Sequence, residues 1–302
     1  MADLLVVGSV AFDTVRTPFG KADEVLGGSA TYFSYSASFF TGVRLVAVVG
    51  ADFPKAHVEL LARRGVDLTG LQVADGATFR WAGEYGYDLN EAKTLDTRLG
   101  VFADFRPTLP QAFRRTPFLF LANIDPDLQL DVLRKVERPR LCALDTMNFW
   151  IQGKREALGR VVAEVDALVV NDAEARMLTE EPNLVKAARR ILGYGPRIVV
   201  IKRGEYGVLM ATDGRFFFAP AFPLDSVYDP TGAGDTFAGG FMGALARAGT
   251  LDEAALRRAI VYGSVMASFT VEDFSLNRLL RLEPPEIEER YHAFREMMRL
   301  EQ

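Results

Sequence analysis

The chain has 302 residues, 49% of them hydrophobic and 25% charged, which fits an ordinary globular protein of one large or two small domains. A net charge of -5 without a long Lys/Arg block argues against nucleic acid as the main partner, and two histidines with one cysteine cannot supply a structural zinc site. Cys142 cannot form an internal disulfide, the opening Met1-Ala2-Asp3 lacks the basic segment of a secretory signal, and no apolar run nears the ~20 residues that span a bilayer. The expected location is the cytoplasm, with no membrane contact.

In chain order, Leu4 to Val7 predicts a buried strand, and Ala30 to Phe40 carries helical spacing after Gly27-Gly28. Strand Leu45 to Val49 and helix Lys55 to Arg64 follow, then strand Phe118 to Ala122 and helix Gln129 to Lys135. Strand Leu141 to Leu144, helix Lys154 to Glu164, strand Ala167 to Val170, helix Val185 to Leu192 and strand Ile198 to Ile201 continue the alternation. Past Gly234 the pattern changes to helices, over Gly234 to Ala248, Asp252 to Phe269 and Pro285 to Leu300. Apolar runs without internal alternation suit strands covered on both faces. The class is therefore α/β, a mainly parallel sheet with helices on both sides.

One segment breaks the rhythm. Thr78 to Phe105 alternates polar with bulky residues around a turn-rich centre at Asp88-Leu89-Asn90, which predicts antiparallel strands. Thr14 to Leu26 is a second piece of this kind. Residues 14–27 and 78–105 are read as a small β lid within one domain spanning 1–302, with an extension of the main sheet's edge as the other reading.

The most informative stretch is Asp229-Pro-Thr-Gly-Ala-Gly-Asp-Thr-Phe-Ala-Gly-Gly240, where a helix begins. The first N–H groups of a helix lack partners inside it, and they attract an anion if no side chain blocks the way. Gly232, Ala233 and Gly234 leave that way open. An aspartate beside a bound phosphate would repel it, so Asp235 makes chemical sense as a base that takes a proton from a nucleophile attacking that phosphate. Glycines for close packing, with an aspartate in a helical first turn, are the plainer alternative.

This stretch resembles the C-terminal signature of the ribokinase-like, or PfkB, family of carbohydrate and nucleoside kinases. The resemblance implies that Asp235 is the catalytic base and Gly232, Ala233 and Gly234 the anion hole. Gly8-Ser-Val-Ala-Phe-Asp13 follows the first strand as in the family, with Asp13 resembling the carboxylate that holds acceptor hydroxyls. Gly27 and Gly28 resemble the family's paired glycines, where substrate approaches the backbone. Asn171-Asp-Ala-Glu174 is similar to its N-x-x-E motif, implying that Asn171 orders the nucleotide phosphates and Glu174 organises Mg2+; the same residues also read as a helix N-cap with its partner. Lys202-Arg-Gly-Glu-Tyr-Gly207 resembles the nucleotide-binding loop, with Lys202 facing ATP phosphates and Gly204 and Gly207 letting the backbone pass, and is equally compatible with a hairpin turn. Ser264 falls where the family's adenine pocket is lined.

Two departures stand out. Tyr32 replaces an asparagine that commonly helps hold the substrate, and Val271-Glu-Asp-Phe274 replaces a Gly-Ala ending. Asp229 is retained, which keeps a K+ site under consideration. Trp81 is a candidate for stacking on a base or sugar face, and Arg80 and Arg98 for either a substrate phosphate or a solvated sheet face. The resemblance implies a kinase using ATP and Mg2+ to phosphorylate a primary hydroxyl of a ribonucleoside or sugar, with a homodimer formed through the lid. A kinase for a sugar phosphate and a non-catalytic ligand-binding regulator are the alternatives. A dinucleotide oxidoreductase is disfavoured because Gly8 to Asp13 lacks G-x-G-x-x-G.

Overall fold

A computed structural model describes residues 2–299. Strand β1 (Ala2–Val7) is followed by β2 (Ala11–Thr17), β3 (Gly20–Gly27), helix α1 (Ser29–Ala37), β4 (Gly42–Gly50), α2 (Lys55–Arg63) and β5 (Val66–Ala74). Next come β6 (Phe79–Tyr85), β7 (Ala92–Arg98), β8 (Phe118–Leu121), α3 (Pro126–Lys135), β9 (Leu141–Asp145), α4 (Asn148–Gly153) and α5 (Arg155–Val162). The chain continues through β10 (Ala167–Asn171), α6 (Asp172–Thr179), α7 (Leu184–Leu192), β11 (Ile198–Lys202), β12 (Val208–Thr212) and β13 (Arg215–Ala219). It closes with α8 (Ala233–Ala248), α9 (Glu253–Thr270), α10 (Asn277–Leu280) and α11 (Pro284–Met297). The end of the last expected helix, Leu300, lies outside the described residues.

A nine-stranded sheet runs β13-β12-β11-β10-β9-β8-β1-β4-β5. It is parallel from β5 to β11 and antiparallel across β11-β12 and β12-β13. The apolar runs give this sheet two buried faces. Leu4 and Val6 join a cluster with α1, α8, α9 and α11, while Leu5 and Val7 join a second with α3, α5, α6 and α7. The carboxyl ends of the parallel strands are left to a row of turns.

Helix α8 lies close against its neighbours because of its glycines. A Cβ at Gly239 would press on the Phe33 carbonyl of α1, and one at Gly240 would come 2.9 Å from Met266 Cγ and 3.0 Å from the Tyr262 carbonyl oxygen on α9. The later glycines of the DPTGAGDTFAGG stretch are therefore packing residues, unlike the earlier ones.

Four strands form a separate sheet in the order β3-β2-β6-β7. Its outer pairs are antiparallel, and β2 runs parallel to β6, with Asp13 opposite Trp81. The alternating pattern of Thr78 to Phe105 holds as strand only to Arg98. Residues Gly100–Asp104 instead form a short helical turn, which brings Phe102 into a stack with Phe79 and Phe105. Thr78 anchors the base of β6, donating from both its N–H and its hydroxyl to Asp52 at 2.8 and 2.6 Å.

Candidate active site

The start of α8 is shaped by the turn before it. Asp229, 1% exposed, accepts hydrogen bonds from the N–H groups of Thr231 at 2.9 Å and Ser275 at 3.4 Å, which fixes the turn. Gly232 caps the helix in the left-handed region, φ 74°, where a side chain would be strained. No side chain caps α8, and the Ala233 N–H, expected to face an anion, donates instead to the Pro230 carbonyl at 3.1 Å, so an anion at this helix start would meet the Gly232 and Gly234 N–H groups. A Cβ on Gly232 would lie 2.5 Å from the ring atoms of Tyr32, and one on Gly234 would lie 2.9 Å from Lys202 Nζ. Gly232 is required by the fixed Tyr32 ring and its left-handed φ, whereas a side chain at Gly234 would push the Lys202 ammonium aside.

Lys202 is the last residue of β11, and its ammonium stands 3.5 Å from Asp145 Oδ2 at the end of β9. Burial opposes the charge on Lys202, but Asp145, Glu174 and Asp235 together outweigh it and hold the ammonium protonated. The carboxylates feel the reverse. Burial and then the Asp145 charge raise Glu174 to about 8, against the pull of Lys202. Asp235 is pushed up by burial and by Asp145; because its side chain is partly open to the cleft, water moderates the rise. Asn171 and Glu174 form a reciprocal cap on α6. The Asn171 N–H donates to Glu174 Oε2 at 2.7 Å, and the Glu174 N–H donates to Asn171 Oδ1 at 2.8 Å. Capping uses one Glu174 oxygen and leaves the other for a ligand.

The loop after Lys202 is a tight turn, in which Arg203 N–H donates to the Gly207 carbonyl at 2.8 Å. Gly204 and Gly207 both have positive φ, and a Cβ at Gly207 would strike the Ala219 carbonyl. Ser264 stands apart, inside α9, with a buried hydroxyl that has no hydrogen-bond partner.

On the other side of the cleft, Asp13 on β2 is 5% exposed, and burial, opposed by the Gly28 N–H and reinforced by Asp229 and Asp235, lifts it to about 7. A Cβ on Gly27 would fall inside this carboxylate, and one on Gly28 would come 2.6 Å from the Ser9 carbonyl. The paired glycines therefore let α1 begin directly beneath Asp13. Trp81 is on the same face of the small sheet, lying flat over Gly83 and donating from Nε1 to Thr94 Oγ1 at 3.3 Å. Tyr85, farther along that face, meets Thr231 oxygen to oxygen at 3.4 Å. Arg80 points to the opposite face, paired with Glu24 and Asp52 over the Phe12 ring, and Arg98 pairs with Asp96. The solvated, structural reading of both arginines is the better one.

Two residues of this site escape the sequence reading. Asp145 looks like the polar end of an apolar strand, yet Asn171 and Lys202 end their strands in the same way, and that shared position was the available signal. Tyr85 offered none, because its role depends on how the two sheets meet.

An uncapped helix start, a lysine and several carboxylates at the carboxyl ends of parallel strands define a phosphoryl-transfer site, where positioning and charge are the main demands. Residues 1–280 match the pfkB family of carbohydrate kinases, and the chain belongs to that family. It is a phosphotransferase with an alcohol acceptor. It is 32% identical over 263 residues to a cytidine kinase of Thermococcus kodakarensis, covering 84% of this chain and 92% of that one. It is 28% identical over 289 residues to a nucleoside kinase of Methanothermobacter thermautotrophicus, covering 90% of each. A Burkholderia thailandensis nucleoside kinase in complex with inosine has the same fold, with a TM-score of 0.76 and 18% identity, covering 96% of this chain and 98% of that one. Among the described residues, no helix is long and apolar enough to cross a membrane.

Proposed function

We propose that the protein transfers the γ-phosphoryl group of ATP to the primary hydroxyl of a ribonucleoside. The observation that carries this reading is Asp235 in the first turn of α8, beside uncapped N–H groups and across from Lys202. Asp13 and the Gly28 backbone hold the acceptor, and Asp235 takes the proton from its hydroxyl as the oxygen attacks phosphorus. The Gly232 and Gly234 N–H groups and the Lys202 ammonium stabilise the charge on the transferred group, while the Ala233 N–H is engaged by the Pro230 carbonyl. Asn171, Lys202, Gly204 and Gly207 receive the nucleotide, and Ser264 lies on its adenine side. Glu174 and Asp145 are hard oxygen donors, and the Asp145 charge adds to burial in raising the Glu174 carboxyl, which fits a site for Mg2+. That ion would supply charge neutralisation across the donor's phosphates. No step of this scheme draws on K+, although the retained Asp229 keeps a carboxylate at the turn where one would bind.

A nucleoside acceptor is supported by the curated relatives and by the Trp81 face beside Asp13. A sugar phosphate would want a free cation on that face, whereas Arg80 and Arg98 are both engaged elsewhere. A second copy pairing through the small sheet would use β7, which is exposed along nearly its whole length. The test is a screen of nucleosides, free sugars and sugar phosphates, read by ADP release. Turnover is expected with nucleosides such as cytidine or inosine. Turnover confined to hexoses or sugar phosphates overturns the acceptor, and none with any acceptor points to the regulator instead.

A further inference from the structure

The hairpin of β6 and β7 touches more than the acceptor side. Trp81 stands opposite Asp13, and Tyr85 reaches Thr231 in the turn before the anion hole. Beyond Tyr85 the hairpin turns, with Leu89 N–H donating to the Gly86 carbonyl at 3.1 Å and Leu89 itself in the left-handed region at φ 52°. This turn delivers Asn90 to the loop after β11. A Cβ on Gly204 would come 2.6 Å from Asn90 Oδ1, so the amide rests directly on the Gly204 backbone. One hairpin thus contacts the acceptor carboxylate's strand, the turn leading to the anion hole, and the nucleotide loop.

The hairpin can behave as a unit. Its base is clamped by Asp52, which accepts from Thr78 and pairs with Arg80, while β7 is bonded only to β6 in its sheet. Its tip is held down by side-chain contacts alone. Nothing in this arrangement requires an asparagine for folding, since Asn90 is exposed and its side chain ends on a glycine. An amide that offers two donors and an acceptor suits a neighbour that carries phosphate or ribose oxygens.

We infer that Asn90 is a donor-positioning residue, placed by the acceptor-side hairpin so that one element grips both substrates. This rests on the assignment of the Lys202–Gly207 loop to the nucleotide, not on the identity of the acceptor. The hairpin tip lies over the nucleotide loop, and a side chain at Gly204, where φ is 52°, would also meet the tip's amide.

The test uses the full-length protein and Mg2+ with a non-hydrolysable ATP analogue, titrated by calorimetry without any acceptor. Asn90→Ala is expected to weaken binding about 3- to 10-fold, the range for losing one neutral hydrogen bond, with an unchanged melting temperature for the ligand-free protein. In turnover assays KM for ATP rises while kcat at saturating ATP stays within about twofold, the pattern of lost donor binding. Gly204→Ala provides a second arm. Its cost should shrink in the Asn90→Ala background, because part of it is the clash with the amide, and independent costs would count against the contact. Unchanged analogue affinity in Asn90→Ala overturns this inference and leaves the kinase reading standing. A wild-type protein that does not bind the analogue at all overturns the donor-loop assignment and this inference together. A wrong acceptor class affects neither outcome.

Discussion

The two sheets contribute to the cleft in different ways. The large sheet supplies charge. Asp145, Asn171 and Lys202 each end a parallel strand, and Asp235 begins the helix facing them, so their positions are set by strands buried on both sides. The small sheet supplies one carboxylate, Asp13, and otherwise aromatic surface, Trp81 and Tyr85, on strands that are half covered. Rigid placement suits groups that must act on a phosphoryl centre, where a shift of about 1 Å can cost a hundredfold in rate. A looser wall suits recognition of a ring, because stacking tolerates small displacements. The division therefore separates chemistry from selection, and substitutions on the two sides should fail differently.

The largest effect belongs to the charged side. Asp235→Asn should keep the fold and the binding of the ATP analogue, yet lower kcat by roughly 10²–10⁴, the range for a lost general base. Near-normal turnover by that variant would remove Asp235 from the chemistry. Gly234→Val should come next, since even a Cβ there lies 2.9 Å from Lys202 Nζ and a branched chain would displace the ammonium. A loss on the order of 10²-fold in kcat, similar to deleting an anion-hole donor, is expected, and full activity would reduce Gly234 to a packing residue.

On the small sheet the same severity should appear in KM instead. Trp81→Ala should raise the acceptor's KM by about 5- to 150-fold, from ~1–3 kcal/mol of stacking, with KM for ATP little changed. A fall in kcat at constant KM would erase the proposed separation between the sheets.

The smallest and most diagnostic effect concerns Asp13. Its pKa is raised to about 7 in the folded protein from an ordinary carboxylate value when unfolded, so the folded state holds a proton that the unfolded state has lost. Stability should therefore fall as pH rises from about 4 to about 7 and level off above, where the buried carboxylate is charged. Asp13→Asn should raise the melting temperature of the ligand-free protein at pH 8 and leave it almost unchanged at pH 4. A variant equally destabilised at both pH values would show that Asp13 serves the fold.

The large sheet was the legible part of the sequence because doubly covered strands leave uninterrupted apolar runs, as at Leu4–Val7 and Ala167–Val170. Strand Val66–Ala74 was passed over for the opposite reason. It is the edge next to β4, half exposed, and its Asp67, Thr69 and Gln72 dilute the apolar signal. The site was legible where chemistry confines residue choice over a short stretch, as from Asp229 to Asp235. It was not legible where a role arises from contact between distant segments. Tyr32 illustrates the limit. Its place in the sequence suggested a substrate-facing residue, and its ring is found packed under Gly232, with 1% of its surface exposed. Gly83 is another case, since only the fold shows that its missing side chain lets the Trp81 indole lie flat.

The parallel pairing of β2 with β6 carries a consequence for how the molecule is built. It joins Ala11 to Phe79 and Arg16 to Glu84, and between those partners the chain lays down β4 and β5 of the large sheet. Pairing over such a separation is entropically costly until the intervening chain is ordered. The small sheet's central pairing is therefore favoured only once α1, β4, α2 and β5 have folded and brought its two halves together. The wall beside Asp13 thus leans on the edge of the large sheet that lies between its own strands in sequence.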